Sequence, residues 1–183
     1  MINADILKIA NQASLNIIAY DQFVSIKHKL RLTDKSIWGV FLFLCGGLFF
    51  IIVPFATTSD TISKGVGIVI GVLLVFLSIL TLVREVLDGI IIENNIFTFR
   101  HNLKKTTVPL SRDMKIEMKT EILKIRRVGT KGSDFILVTH YLQEKDKKTP
   151  VLKFQMNGSH AEKARKLGNE ITRIVNDKFE NRT

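Results

Sequence analysis

The chain has 183 residues, 46 % of them apolar, and a formal net charge of +10. One cysteine, Cys45, excludes an intramolecular disulfide. The basic balance calls for an anionic partner, but no helix-turn-helix, zinc-finger or aromatic RNA-binding pattern accompanies it, so the expected partner is a membrane surface and not nucleic acid. Counted from Arg84 to Thr183, 21 Lys and Arg stand against 13 Asp and Glu, a balance of +8, so most of the excess lies in the C-terminal part.

From the N-terminus, Ile6, Leu7, Ile9, Ala10, Ala13, Ile17 and Ile18 give an imperfect helical face, and a helix is expected over Asn3 to Tyr20 within an N-terminal segment, 1–22. Its single Lys8 argues against a strongly cationic surface anchor. Phe23 to Leu32 alternates, with Val24, Ile26, His28, Leu30 and Leu32 on one side and Ser25, Lys27, Lys29 and Arg31 on the other. Period two predicts a strand within 23–36, placed to join a sheet built later in the chain. His28 falls on the apolar side and reads as a partly buried packing residue, with a proton switch as the alternative.

Ile37 to Ala56 and Gly65 to Val83 carry no charge. Each is long enough to cross a hydrocarbon core of about 30 Å at about 1.5 Å per residue. Only Thr57 to Lys64 separates them, so 37–83 is expected to be a transmembrane hairpin of antiparallel helices. Trp38 suits the membrane interface. Pro54 sits near the far end of the first span, where a lost backbone bond costs least. Gly67-x-x-x-Gly71 permits close backbone approach, either within the hairpin or between copies. Lys27, Lys29, Arg31 and Lys35 precede the spans and Arg84 follows, whereas the connecting segment has only Asp60 and Lys64. The positive-inside rule then puts both termini in the cytoplasm. The first span is preceded by mostly polar residues and followed by no small-residue cleavage site, so the hairpin is expected to be retained.

From 84 to 183 the pattern turns to strands and one helix. Gly89 to Glu93 and Ile96 to Arg100 flank the turn signal Asn94-Asn95. Residues His101 to Lys105 read as a turn, and Thr106 to Leu110 as a short strand that Pro109 marks as an edge or an end. Met114 to Lys124 alternates, Arg126 to Asp134 is a loop, and Phe135 to Glu144 and Val151 to Met156 are strands joined by Lys145 to Pro150. Ser159 to Phe179 is amphipathic, with Ala161, Ala164, Leu167, Ile171 and Phe179 on one face and Ser159 with Glu162 in capping-box spacing.

Antiparallel strands closed by one C-terminal amphipathic helix, behind two spans and the stretch "VREVLDGIIIENNIFTFRHNLKKTTVPLSRDMKIEMK", resemble the small bacterial membrane proteins that carry a pleckstrin-homology-like domain. Ile90 to Asn95 and Val108 to Leu110 carry the resemblance, which covers about residues 23 to 179 and leaves out the N-terminal helix. It implies an α+β fold, a PH-like barrel or sheet closed by the helix over 159–179. It also implies a binding module for lipid headgroups or protein partners at the bacterial cytoplasmic membrane. The basic phosphoinositide motif of eukaryotic PH domains is not matched, because the hairpin is inserted where that loop would lie.

Two basic clusters are candidate sites for headgroups or a partner. Lys124, Arg126, Arg127 and Lys131 surround Gly129 and Gly132, as an anion-holding loop or an ordinary solvated one. The Gly-Lys-Ser/Thr ending of a nucleotide-binding loop is missing. Arg100, Lys104 and Lys105, with His101, form a basic turn soon after the second span. His101, His140 and His160 lack metal-ligand spacing, and Ser111-Arg112-Asp113 lacks a nucleophile-base arrangement. The expectation is a protein with no cofactor, no metal and no catalytic residue, which binds lipid or a protein partner. The alternative is an assembly subunit of a larger membrane complex.

Overall fold

The computed structural model describes residues 2–29, 35–57, 61–125, 133–145 and 147–181. The chain divides into two units, one made of Met1–Lys29 with Leu87–Thr183 and the other of Leu30–Val86.

The second unit holds two helices, α2 (Lys35–Thr57) and α3 (Thr61–Leu87). Their apolar windows, Ile37–Ala56 and Lys64–Arg84, are long and apolar enough to cross a membrane. Only 11 % and 17 % of those windows is buried, so their apolar surface is not spent on a soluble core. Glycines set the contact between α2 and α3. A Cβ on Gly71 would lie 2.6 Å from the Gly47 carbonyl oxygen, and one on Gly67 would lie 2.6 Å from Pro54 Cγ and 3.0 Å from the Phe50 oxygen. Gly67-x-x-x-Gly71 therefore faces α2 of the same chain, and small residues let the two backbones touch.

The first unit begins with α1 (Ala4–Gln12), capped by the Asn3 side chain, which accepts the Asp5 N–H. The helix expected to reach Tyr20 stops here. Ser14 takes φ 54°, and β1 (Leu15–Ala19) pairs antiparallel with β2 (Phe23–His28). Leu15 and Ile17 alternate inward and are 2 % and 5 % exposed, so sheet pairing prevails over a helical spacing that fits only loosely. The N-terminal segment is thus helix and strand, part of the same unit as the later sheet.

Five strands follow the order β1-β2-β3-β4-β5, with β3 (Gly89–Glu93), β4 (Ile96–His101) and β5 (Lys104–Pro109). β2 pairs with β3 from Phe23↔Glu93 to Lys27↔Gly89, so the chain leaves the sheet at β2, makes the helical hairpin, and returns beside the strand it left. Three longer strands, β6 (Met114–Ile125), β7 (Ser133–Glu144) and β8 (Lys147–Asn157), make a second antiparallel sheet. The turn expected over Lys145 to Pro150 is shorter than that. β8 already includes Pro150, opposite Tyr141, where a register shift at His140/Tyr141 accommodates the missing N–H. The two sheets stay open, so the molecule is a mixed helix and antiparallel-sheet protein and not a closed barrel.

A 3₁₀ turn (Gly158–His160) leads into α4 (Ala161–Glu180). The capping box expected from Ser159 and Glu162 is replaced by Asn157, whose side-chain oxygen accepts from the Ser159 N–H at 3.1 Å. α4 buries Leu167, Ile171, Val175 and Phe179 in one core with Val24, Ile26, Ile90, Phe97, Ile116 and Val138. Asn176 stitches it to β6, accepting from the Ile116 N–H at 2.8 Å and donating to the Ile116 oxygen at 3.2 Å. Gly168 lets α4 lie close on β6 and β7, because a Cβ there would run into Met118 Sδ. The fully buried His140 donates from Nε2 to the Gly168 oxygen at 3.0 Å, leaving Nδ1 with no partner among the described residues. Burial pushes the His140 imidazole down to about 4.

Three hairpin turns use left-handed backbone among the described residues, one of them at Lys145 (φ 52°) between β7 and β8. Asn94 and Asn95 have φ 50° and 60°, as their residue type suits. Asn102 and Leu103, joining β4 to β5, have φ 53° and 68°. A leucine in that conformation costs about 1–2 kcal/mol, so Leu103 breaks the turn rule that Asn95 obeys.

Candidate functional site

Register assembles what the sequence scatters. Lys27 pairs with Gly89, Gly89 with Arg100, and Arg100 with Lys105. Directly paired residues point to the same face, so Lys27, Arg100 and Lys105 form one row across β2, β4 and β5. Ile26, Ile90 and Phe99, one residue away on their strands, point into the core, so the cationic row lies on the outer face. Lys27 and Lys105 are exposed and Arg100 is half-buried. None of the three makes an ion pair with a carboxylate among the described residues.

Gly89 holds the centre of this row. A Cβ there would meet the Ile26 carbonyl oxygen and would lie 3.2 Å from Lys27 Cγ. The glycine lets β3 sit close beside β2, and the aliphatic stem of Lys27 crosses it. Lys27 is the member that sequence reasoning left out of the candidate cluster. Its alternation was legible, but only pairing with a strand some sixty residues later puts it beside Arg100.

Asp88 anchors the same end of the sheet. It is the residue between α3 and β3. Its Oδ2 lies 3.6 Å from His101 Nδ1 and accepts the Asn102 N–H at 3.4 Å, and its backbone oxygen accepts the His28 N–H at 3.5 Å. Its Oδ1 is buried and accepts no hydrogen bond from the described residues. Asp88 thereby holds the Asn102-Leu103 turn, with its neighbours Lys104 and Lys105, against the point where the helical chain enters the sheet. His28 is half-buried. Desolvation pushes its imidazole below the usual value, against a hydrogen bond to the Lys153 backbone and the Asp88 charge, so His28 is neutral at neutral pH.

The other candidates fall elsewhere. Lys124 is exposed near the end of β6, beside the exposed apolar pair Ile122 and Leu123. Arg126, Arg127 and Lys131 lie outside the described residues. Arg100, Lys104 and Lys105 are brought together at the β4–β5 turn, with Lys104 opposite His101. Gly67 and Gly71 face α2, near an apolar cleft within the helical unit lined by Gly39, Val40, Phe43, Leu74, Leu77 and Ser78.

Chemically this arrangement offers fixed positive charge on a sheet face. Comparison with protein-family models, with curated proteins and with solved structures finds no match for this chain.

Proposed function

We propose that this chain is a non-catalytic, multi-pass protein of the bacterial cytoplasmic membrane with both termini in the cytoplasm, whose PH-like domain binds anionic lipid headgroups. One observation carries the reading. Lys27, Arg100 and Lys105 share a row and make no ion pair with a carboxylate among the described residues, on a sheet whose β2 and β3 stand before and after two apolar helices of membrane-spanning length in the chain. α3 runs from its apolar window to Leu87, and Asp88 follows it in the chain before β3. The complement of such a row in a membrane protein is an anionic leaflet. Each cation near such a surface contributes about 1 kcal/mol, and a row of three contributes about 3 kcal/mol at low salt. The PH-like reading rests on the antiparallel strands with their C-terminal helix. Two open sheets and the additional α1–β1 unit are departures from the usual plan.

The test is native mass spectrometry of the full chain released from nanodiscs of mixed neutral and anionic lipid. Selective retention of anionic lipid, lost in the Lys27→Ala/Arg100→Ala/Lys105→Ala variant, is the expected outcome. Equal retention of both lipid classes overturns the headgroup reading. The second reading, an assembly subunit, draws support from the cleft between Gly39 and Ser78 in the helical unit, which suits another apolar helix. A stoichiometric protein retained whatever the lipid would favour it.

A further inference from the structure

We infer that Leu103 is a membrane anchor, which the β4–β5 turn inserts below the headgroups of the same anionic leaflet that the cationic row binds. The inference rests on the headgroup reading above and adds the residue that leaves water.

Four observations converge on it. Leu103 has φ 68° at a two-residue hairpin turn, where glycine or asparagine would be unstrained, as Asn95 is in the neighbouring hairpin. Its side chain is 39 % exposed, so the strain is not offset by burial in the core. An outlier that the fold does not need points to a role outside the fold. The turn is flanked by Arg100 on one side and Lys104 and Lys105 on the other, the pairing of apolar tip and cationic collar that suits an anionic interface. Finally, the turn is tied to Asp88 through the Asn102 N–H, and Asp88 is joined by α3 to the apolar window ending at Arg84. An apolar tip between cations selects an anionic lipid surface as the occupant over a soluble partner.

The strain makes the inference testable without confusing function with folding. Leu103→Gly relieves the backbone, so the variant should melt at the same temperature or a few degrees higher, while lipid contact at the turn is lost. Contact is read in the full chain, with Cys45→Ser and Leu103→Cys carrying an environment-sensitive fluorophore, in nanodiscs of phosphatidylcholine alone or with phosphatidylglycerol. The expected result is quenching by lipids brominated near the headgroup, at least threefold stronger with phosphatidylglycerol, and protection from aqueous iodide. A probe open to iodide in both nanodiscs overturns the inference. So does a probe shielded from both quenchers, which would mean a protein occupant. A Leu103→Gly variant that melts several degrees lower also overturns it, because the side chain would then serve the fold. If the mass spectrometry still shows anionic preference while the probe stays in water, insertion fails and the headgroup reading stands. If anionic preference is absent, the headgroup reading fails and takes this one with it.

Discussion

The two sheets of the first unit treat charge in opposite ways. On the three-stranded sheet, Lys148 Nζ meets Glu117 at 2.7 Å and Lys119 Nζ meets Glu121 at 2.8 Å. On α4, Arg173 holds Glu170 at 2.6 Å and Asp177 at 3.1 Å. These partners shift each other as opposite charges do, with Glu117, Glu121 and Glu170 held below the usual carboxylate value by hydrogen bonds from Lys148, Lys119 and Arg173. At the end of the five-stranded sheet, Lys27, Arg100 and Lys105 share a face with no such partner among the described residues. Exposed pairs contribute little to stability, so the difference is not about folding. It separates positive charge that is paired within the described residues from positive charge that is not.

The strongest way to break this comparison is to remove the first sheet. Ile26 is fully buried at the centre of β2. Ile26→Asp loses that packing and buries a charge, at a cost of at least about 4 kcal/mol. Circular dichroism should show the sheet-bearing unit unfolded. Full retained stability would mean that β2 does not hold the row in place.

A smaller effect comes from pH, and it belongs to the second sheet. His140 titrates near 4 in the folded chain and near 6.5 when unfolded. Above pH 6.5 both states are neutral there, and the residue leaves stability independent of pH. As pH falls from 6.5 toward 4, the unfolded chain takes up a proton that the folded one refuses, and about 3 kcal/mol is lost. Denaturant melts between pH 7 and 4 should show this slope, and His140→Gln should flatten it. His28, also held low by burial, adds a loss of the same sign over the upper part of that window.

Single cations of the row give the next effect. Lys27→Ala, Arg100→Ala or Lys105→Ala should each weaken anionic-lipid retention about fivefold, a change of about 1 kcal/mol, and the loss should shrink as salt rises. The melting temperature should not move, which a differential scan would establish. The smallest effect sharpens the contrast. Glu117→Gln removes a charge that Lys148 already answers, and it should change neither the melting temperature nor lipid retention.

How much of this was legible depended on the range of the signal. The two uncharged runs and the alternation in Met114 to Lys124 are local, and α2, α3 and β6 follow them closely. Asn94-Asn95 announced its turn by residue type. β1 was hidden because Leu15, Ile17 and Ile18 also fit a helical face, and Ser14 turns the chain without a glycine or proline to mark it. The Asn157 cap was missed because Ser159 offered a nearer, equally ordinary signal. At the site, Arg100, Lys104 and Lys105 were visible as charge. Lys27 joined them only through register, and Asp88 only through its bonds to His101 and Asn102. Leu103 carried no sequence signal at all, because leucine is not a turn residue and its φ is a property of the folded hairpin.

The most direct measurement is hydrogen exchange of the full chain in neutral and anionic nanodiscs at two salt concentrations. Amides at 27–29, 88–90 and 100–105 should exchange more slowly with anionic lipid, and the protection should fade at high salt. Amides of β6 to β8 whose side chains form the paired face should not change. Uniform protection across both sheets, or none at the cationic end, would contradict the account.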